Sequence, residues 1–294
     1  MSSTPRHHQT ETASRNVLPA SWRELLGQCR RNPTPECVHR LRVVTVRLQA
    51  EGEYWLREHA LEKSAKQAVR RWCKQGEKLR RALRAVREAD VQLKQLASLR
   101  RPTSRRATAQ SYCTPSCLLQ IAKVEGHIAQ KRRKAAKKLM GKLQERGARL
   151  DLLGGQLQAI QHAGFQPVAL PPAVTLSQMF HRLSEDFPAL DRDNLHAYRK
   201  RMKAICALAV QFGATDPVAR RLSLSLKKML AAIGKWHDWQ ALAQTAEHTS
   251  STQEDGLRQM LEGLAAESLQ TALRICREES AGLLDADRQV TLKP

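Results

Sequence analysis

A histidine and an arginine three positions apart occur twice in this chain. They are His39 and Arg42 in Val38-His39-Arg40-Leu41-Arg42, and His196 and Arg199 in Leu195-His196-Ala197-Tyr198-Arg199. On a helix this spacing brings both side chains to one face. Such a face suits an anion, because a guanidinium donates two parallel hydrogen bonds to one phosphate or carboxylate and an imidazole gains charge when an anion raises its pKa. Catalysis lacks a comparable constellation. There is no nucleophile with an adjacent base, no carboxylate pair at metal-binding spacing and no glycine loop to cradle phosphate. Glu88, Asp90 and Asp238 read as capping, ion-pairing or packing residues, so we expect a protein that is not an enzyme and needs neither metal nor cofactor.

The charge of the chain points the same way. Its net charge of +22 is unevenly spread: residues 1–150 hold 34 Lys+Arg against 12 Asp+Glu, and residues 151–294 hold 16 of each. Ten of the latter basic residues fall between Arg192 and Lys235. Clustered cations concentrate anions and release condensed counterions when a polyanion binds, which favours a polyanionic partner over a merely solvated surface. The densest run, Lys131-Arg132-Arg133-Lys134-Ala135-Ala136-Lys137-Lys138, puts Lys131, Lys134, Lys138 and Lys142 on one face. Like charges at these spacings cost a few tenths of a kcal/mol each unless an anion neutralises them.

Helices must carry these residues. Aromatic residues make up 4% of the chain, and Leu, Ala, Gln, Lys and Arg abound, a composition that suits helices and disfavours strands. Residues 1–17 read as a disordered lead-in. A helix follows from about Ala20 to Arg30; Thr34-Pro35-Glu36 then supplies an N-cap with proline at the first helical position, opening the helix of the first motif as far as about Leu56. Leu79, Leu83, Val86, Leu93 and Leu96 mark a long helix from about Leu61 to Leu99, and a further one runs from Cys117 to roughly Arg149. The stretch from Gly154 to Pro172, richer in Gly, Gln and Pro, reads as a linker. Helices from about Ala173 to Asp186, Asp191 to Phe212, Pro217 to Glu247 and Gln253 to Leu283 repeat the order of the first half.

A second block recurs: Leu83-Arg84-Ala85-Val86-Arg87-Glu88-Ala89-Asp90-Val91 aligns with Ile233-Gly234-Lys235-Trp236-His237-Asp238-Trp239-Gln240-Ala241. Two blocks in the same order point to internal duplication. The fold expected is all-α: eight helices in two sets of four. The divisions are 18–150 for the first half, 151–172 for the linker, 173–285 for the second half and 286–294 for a tail. Seven cysteines and the absence of an apolar leader lead us to expect reduced thiols and a cytoplasmic protein. Cys113 and Cys117 lack a second ligand pair, so zinc is not expected. No apolar stretch approaches the length of a membrane span.

These motifs resemble those of the CHAD family, the conserved histidine α-helical domain. Pro35 to Leu48 is similar to its first motif, in which arginines follow the histidine at positions three, seven, eight and ten. Arg42 and Arg47 match, while Val46 and Gln49 depart. Leu195 to Lys203 is similar to the second motif, with Arg199, Arg201 and Lys203 in place and Ala204 and Cys206 departing. Leu226 to Asp238 is similar to the leucine-glycine-asparagine-aspartate block, whose first-half partner keeps Arg87 but has Arg84 and Glu88 for glycine and aspartate. The resemblance spans roughly residues 18 to 285. It implies two four-helix bundles related by pseudo-twofold internal duplication, with a basic surface or channel between the two halves that binds inorganic polyphosphate. His39, Arg42 and Arg47 would form one wall and His196, Arg199, Arg201 and Lys203 the other. Arg87 and Lys227 would extend the walls, with Lys131, Lys134 and Lys138 as a rim. A basic nucleic-acid-binding protein and a docking protein for polyphosphate or other anionic granules are the competing readings. Trp236 and Trp239 are expected in the core or at the seam.

Overall fold

The computed structural model describes residues 21–58, 60–100, 115–162, 172–249 and 256–291. Its regular structure among these residues is eight α-helices: α1 (Ser21–Arg31), α2 (Pro35–Glu58), α3 (Lys63–Leu99), α4 (Pro115–His162), α5 (Pro172–Asp186), α6 (Leu195–Phe212), α7 (Pro217–Thr249) and α8 (Gly256–Thr291). The expected lead-in, residues 1–17, lies outside the described residues.

Local chemistry starts the helices where the sequence leads one to expect. Thr34 Oγ1 accepts a hydrogen bond from the Cys37 amide at 3.3 Å, which satisfies one of the open donors of α2, and Pro35 stands in its first turn. Asp216 caps α7 in the same way, accepting from the amides of Val218 and Ala219 at 2.8 and 3.0 Å, with Pro217 between. α6 starts at Leu195 rather than Asp191, because the Asp191 carboxylate accepts from the amides of Asp193 and Asn194 and closes a turn ahead of the helix.

The pairing of helices runs in parallel in the two halves. α1 packs on α2 and α4, and α3 packs on α2 and α4; likewise α5 packs on α6 and α8, and α7 packs on α6 and α8. The halves meet where α2 lies against α6 and α3 against α7. Each bundle buries a strip of every helix: Trp22, Leu41, Trp72, Leu83 and Leu143 in the first, Phe180, Tyr198, Met229, Ile233 and Cys276 in the second, all in one continuous core. A second core joins the far ends of α3 and α4 to α7 and α8 through Leu96, Ile121, Trp239 and Leu261. Trp236 and Trp239 are both buried, as expected. Two features lock the halves together: Gln92 Nε2 donates to Ala241 O at 3.1 Å and to Thr245 Oγ1 at 2.9 Å, and the Tyr54 and Phe212 rings meet edge-on with centroids 5.4 Å apart.

Two details depart from expectation. α4 continues through Gly154 and Gly155 to His162. Gly154 serves close packing, since a Cβ there would fall 2.9 Å from Trp22 Nε1 on the crossing helix α1, whereas one on Gly155 would meet the flexible end of Arg23 at 3.2 Å. Instead of free thiols throughout, Cys29 and Cys37 form a disulfide, because the turn between α1 and α2 brings their Cα atoms to 5.9 Å. Cys73, Cys206 and Cys276 are free thiols, and Cys117 is a buried cysteine outside the disulfide. Among the described residues no helix is long and apolar enough to cross a membrane.

The Arg132 guanidinium reaches from α4 to the almost fully buried carboxylate of Asp90 on α3 and to the carbonyl of Pro33 at 3.1 Å, so it ties three segments together. Removing one partner of a buried ion pair strands the other charge, at about 3–5 kcal/mol. Arg132→Met should therefore lower the free energy of unfolding by about 3 kcal/mol, measured by urea denaturation, whereas Lys131→Met, at an exposed position one residue away, should leave it nearly unchanged.

Candidate anion-binding site

Nine polar side chains converge on the seam, and a single packing rule places them. Each follows a buried core residue by one position: His39 after Val38, Arg42 after Leu41, Arg80 after Leu79, Arg84 after Leu83, Arg87 after Val86, His196 after Leu195, Arg199 after Tyr198, Lys203 after Met202 and His237 after Trp236. A step of one residue turns about 100° around a helix. On α2, α3, α6 and α7 that step leads from the bundle core to the opposite half. Tyr198, for example, is anchored in the core against Phe187, Met229 and Ser280, which aims its neighbour Arg199 across the seam.

The cations there interact strongly. Burial holds the Arg42 guanidinium pKa below its ordinary value, and the charges of Arg80, Arg199 and Arg84 add to the effect. Arg199 is lowered likewise by burial, opposed by Asp238 and reinforced by Arg84. The Lys203 ammonium is pushed down to about 7, first by burial and then by Arg199, Arg42 and Arg80. His237 falls to about 4 through burial, Arg199 and its neighbour His196, whose ring lies 5.2 Å away. His196 and His39 are exposed at the rim, and both have lowered pKa values, through partial desolvation followed by Arg199 and Arg87 respectively. Two carboxylates oppose these cations. Asp238 is raised by burial against the pull of Arg199, Arg87 and Lys203, and Glu88 pairs with Arg84.

The hydrogen-bonding balance is just as uneven. The Nε donors of Arg80 and Arg199 are buried with no acceptor among the described residues. Gly234 lets the α7 backbone approach closely, since a Cβ there would lie 3.4 Å from Arg199 Nη2. Six cations, Arg42, Arg80, Arg84, Arg87, Arg199 and Lys203, thus face two carboxylates in a half-buried cleft. Its chemistry is that of an anion receptor with donors already oriented.

Of the residues singled out from the sequence, His39, Arg42, Arg87, His196, Arg199 and Lys203 come together here. Lys227 is exposed on α7, within electrostatic reach of Cys206 on α6. The others point elsewhere. Arg47, five positions beyond Arg42, turns to the buried carboxylate of Glu51 at 2.8 Å. Arg201 pairs with Asp186 on α5 and lies 5.6 Å over the Phe187 ring. Lys131, Lys134 and Lys138 are exposed along α4, with no ion pair to the seam among the described residues. Arg80, Arg84 and His237 were missed as site residues. Their signal is present in the sequence, since Arg80, Arg84 and Arg87 follow the apolar stripe Leu79, Leu83 and Val86 one step behind.

The low pKa of Lys203 has a consequence for stability. Its ordinary value is 10.5 and its folded value about 7, so between these limits the unfolded chain binds more protons and stability rises with pH. The melting temperature of the ligand-free protein should accordingly increase between pH 7 and pH 8, before the thiols of the unfolded chain, with an ordinary pKa of 9.0, begin to ionise and oppose it. In Lys203→Met this increase should be largely lost, and the variant should be the more stable of the two at pH 7. Differential scanning calorimetry at matched ionic strength measures both effects.

No protein-family model matches the chain, and no curated protein matches it. Among solved structures, PptA from Streptomyces chartreusis has a similar fold, with a TM-score of 0.53 over 91% of this chain and 98% of PptA. Sequence identity between the two is 15%, a level at which the likeness concerns the fold.

Proposed function

We propose that this protein binds inorganic polyphosphate in the seam between its two helical halves, without catalysing a reaction on it. The observation that carries this reading is the convergence of Arg42, Arg80, Arg84, Arg87, Arg199 and Lys203 from three helices, with buried Nε donors that no acceptor in the described chain satisfies. A polyphosphate chain supplies what the cleft lacks. Every internal phosphate carries a negative charge and acceptor oxygens, and a passing chain can serve all four walls of the seam. Resemblance to the CHAD motifs supports the same ligand. On this reading the parallel pairing of helices in the two halves reflects internal duplication, and the two His-Arg motifs are its two copies.

Nucleic acid is the competing polyanion. Base stacking needs exposed aromatic faces, and Trp22, Trp55, Trp72, Trp236 and Trp239 are all buried. A ligand read by charge and hydrogen-bond acceptors alone therefore fits better. Docking on polyphosphate granules would be a use of the same site.

Arg42→Ala combined with Arg199→Ala should weaken polyphosphate binding by about tenfold or more, since hydrogen bonds to charged groups contribute roughly 1.5–3 kcal/mol each. Helicity by circular dichroism should be unchanged. Labelled polyphosphate bound to the wild-type protein should resist displacement by duplex DNA or RNA at equal phosphate concentration. Equal displacement would refute a selective polyphosphate site, and unchanged affinity in the double variant would move the site away from the seam. Because neutralised phosphates release counterions, affinity should also fall steeply with added salt.

A further inference from the structure

The lysines of α4 that do not reach the seam belong to a second basic surface on the opposite side of the first bundle. Lys78 stands two residues before Arg80, roughly 200° around α3, so it faces away from the seam. There α3 and α4 enclose two adjoining hollows of about 180 and 270 Å³. The first has an apolar floor that includes Leu79, Leu143 and Leu150, and its rim carries Lys78, Arg81, Lys142 and Arg146; Arg149 borders the second. Arg81 is engaged with Glu77 at 3.0 Å and Arg146 with Glu145 at 3.4 Å. Among the described residues, Lys78, Lys142 and Arg149 have no carboxylate partner within 4 Å, although all three are exposed. Lys131, Lys134 and Lys138 continue this face of α4, so a cationic strip about 27 Å long leads into the hollows.

We propose that this outer groove is a second binding site for an inorganic phosphate chain, separate from the seam; the proposal rests on the polyphosphate reading of the seam. No aromatic side chain lines the groove, which leaves bases nothing to stack on. Along the strip and groove together, Lys78, Lys131, Lys134, Lys138 and Lys142 are mobile point charges that suit a flexible chain of phosphates better than one fixed phosphate. An anion laid along the strip also relieves the repulsion among Lys131, Lys134, Lys138 and Lys142, whose spacings of three and four residues make them helical neighbours. Two sites on opposite faces of α3 let one long chain engage both, or let one protein join two chains.

The test is calorimetric titration with a short oligophosphate of defined length, using the full chain. The wild type should bind two oligophosphates per chain. A groove variant, Lys78→Gln with Lys142→Gln and Arg149→Gln, should bind one, and so should the seam variant Arg42→Ala with Arg199→Ala. The groove substitutions lie at exposed positions and introduce a good helix former, so the melting temperature should be preserved. For long polyphosphate, the groove variant should lose roughly tenfold or more in affinity as linkage between the sites is removed. One oligophosphate per wild-type chain, lost in the seam variant and unchanged in the groove variant, would overturn the groove site and leave the seam reading intact. Absence of oligophosphate binding to the wild type would overturn the seam reading and the groove proposal with it. If single-stranded RNA displaced oligophosphate from the seam variant at equal phosphate concentration, the groove would be a nucleic-acid site and the proposal would fail.

Discussion

Like charges held close together in a half-buried seam are the constraint around which this structure is arranged. Two unit charges about 8 Å apart repel by roughly 2 kcal/mol at an effective dielectric constant near 20. The charges of Arg80, Arg84 and Arg199 bear on Arg42, and those of Arg199, Arg42 and Arg80 on Lys203, so repulsion of this kind works against the packing of the helices. What opposes it is apolar burial on both sides. Each fully buried large aliphatic or aromatic side chain contributes about 1.5–3 kcal/mol, and core residues flank every one of these cations in sequence. The repulsion is thus carried by the two cores, and Asp238 and Glu88 offset only part of it.

The alternation of core residue and cation connects fold to site. Tyr198 packed on Phe187, Met229 and Ser280 orients Arg199, and Leu83 and Val86 orient Arg84 and Arg87. Anything that rotated α6 by half a turn would bury Arg199 in the second bundle and expose Tyr198. The seam is therefore as rigid as the cores behind it. Lys203 shows the cost of that rigidity: burial and three neighbouring guanidinium groups bring its ammonium to the edge of deprotonation near neutral pH. An anion in the seam would reverse the effect, so binding and proton uptake are coupled.

The two halves differ in how they spend their charge. The second half contributes Arg199 and Lys203 to the seam through α6 and carries no net charge as a whole, with 16 basic and 16 acidic residues. The first half also lines the seam, through α2 and α3, and carries a further cationic strip on the outside of α3 and α4. Arg132 is the exception within that strip, turned inward to Asp90 and Pro33, where it fixes the distance between α3 and α4.

Helix content and most helix starts were legible in the chain itself. Apolar spacing and local caps such as Thr34-Pro35 and Asp216-Pro217 act within a few residues and need no tertiary partner. The His-Arg pairs were legible for the same reason, because a spacing of three defines a common face on any helix. Which face meets the other half is not a local property. Arg47 and Arg201 carry the same charge as Arg42 and Arg199, yet lie beyond a step that turns them to Glu51 and Asp186. Arg80, Arg84 and His237 join the site only because α3 and α7 cross the seam. Gly154 looks like a helix breaker until Trp22 is found against it, and a sequence separation of eight between Cys29 and Cys37 says nothing of pairing until the α1–α2 turn brings them together. Periodicity determines which side chains share a face; only the packing of one helix against another decides what that face sees.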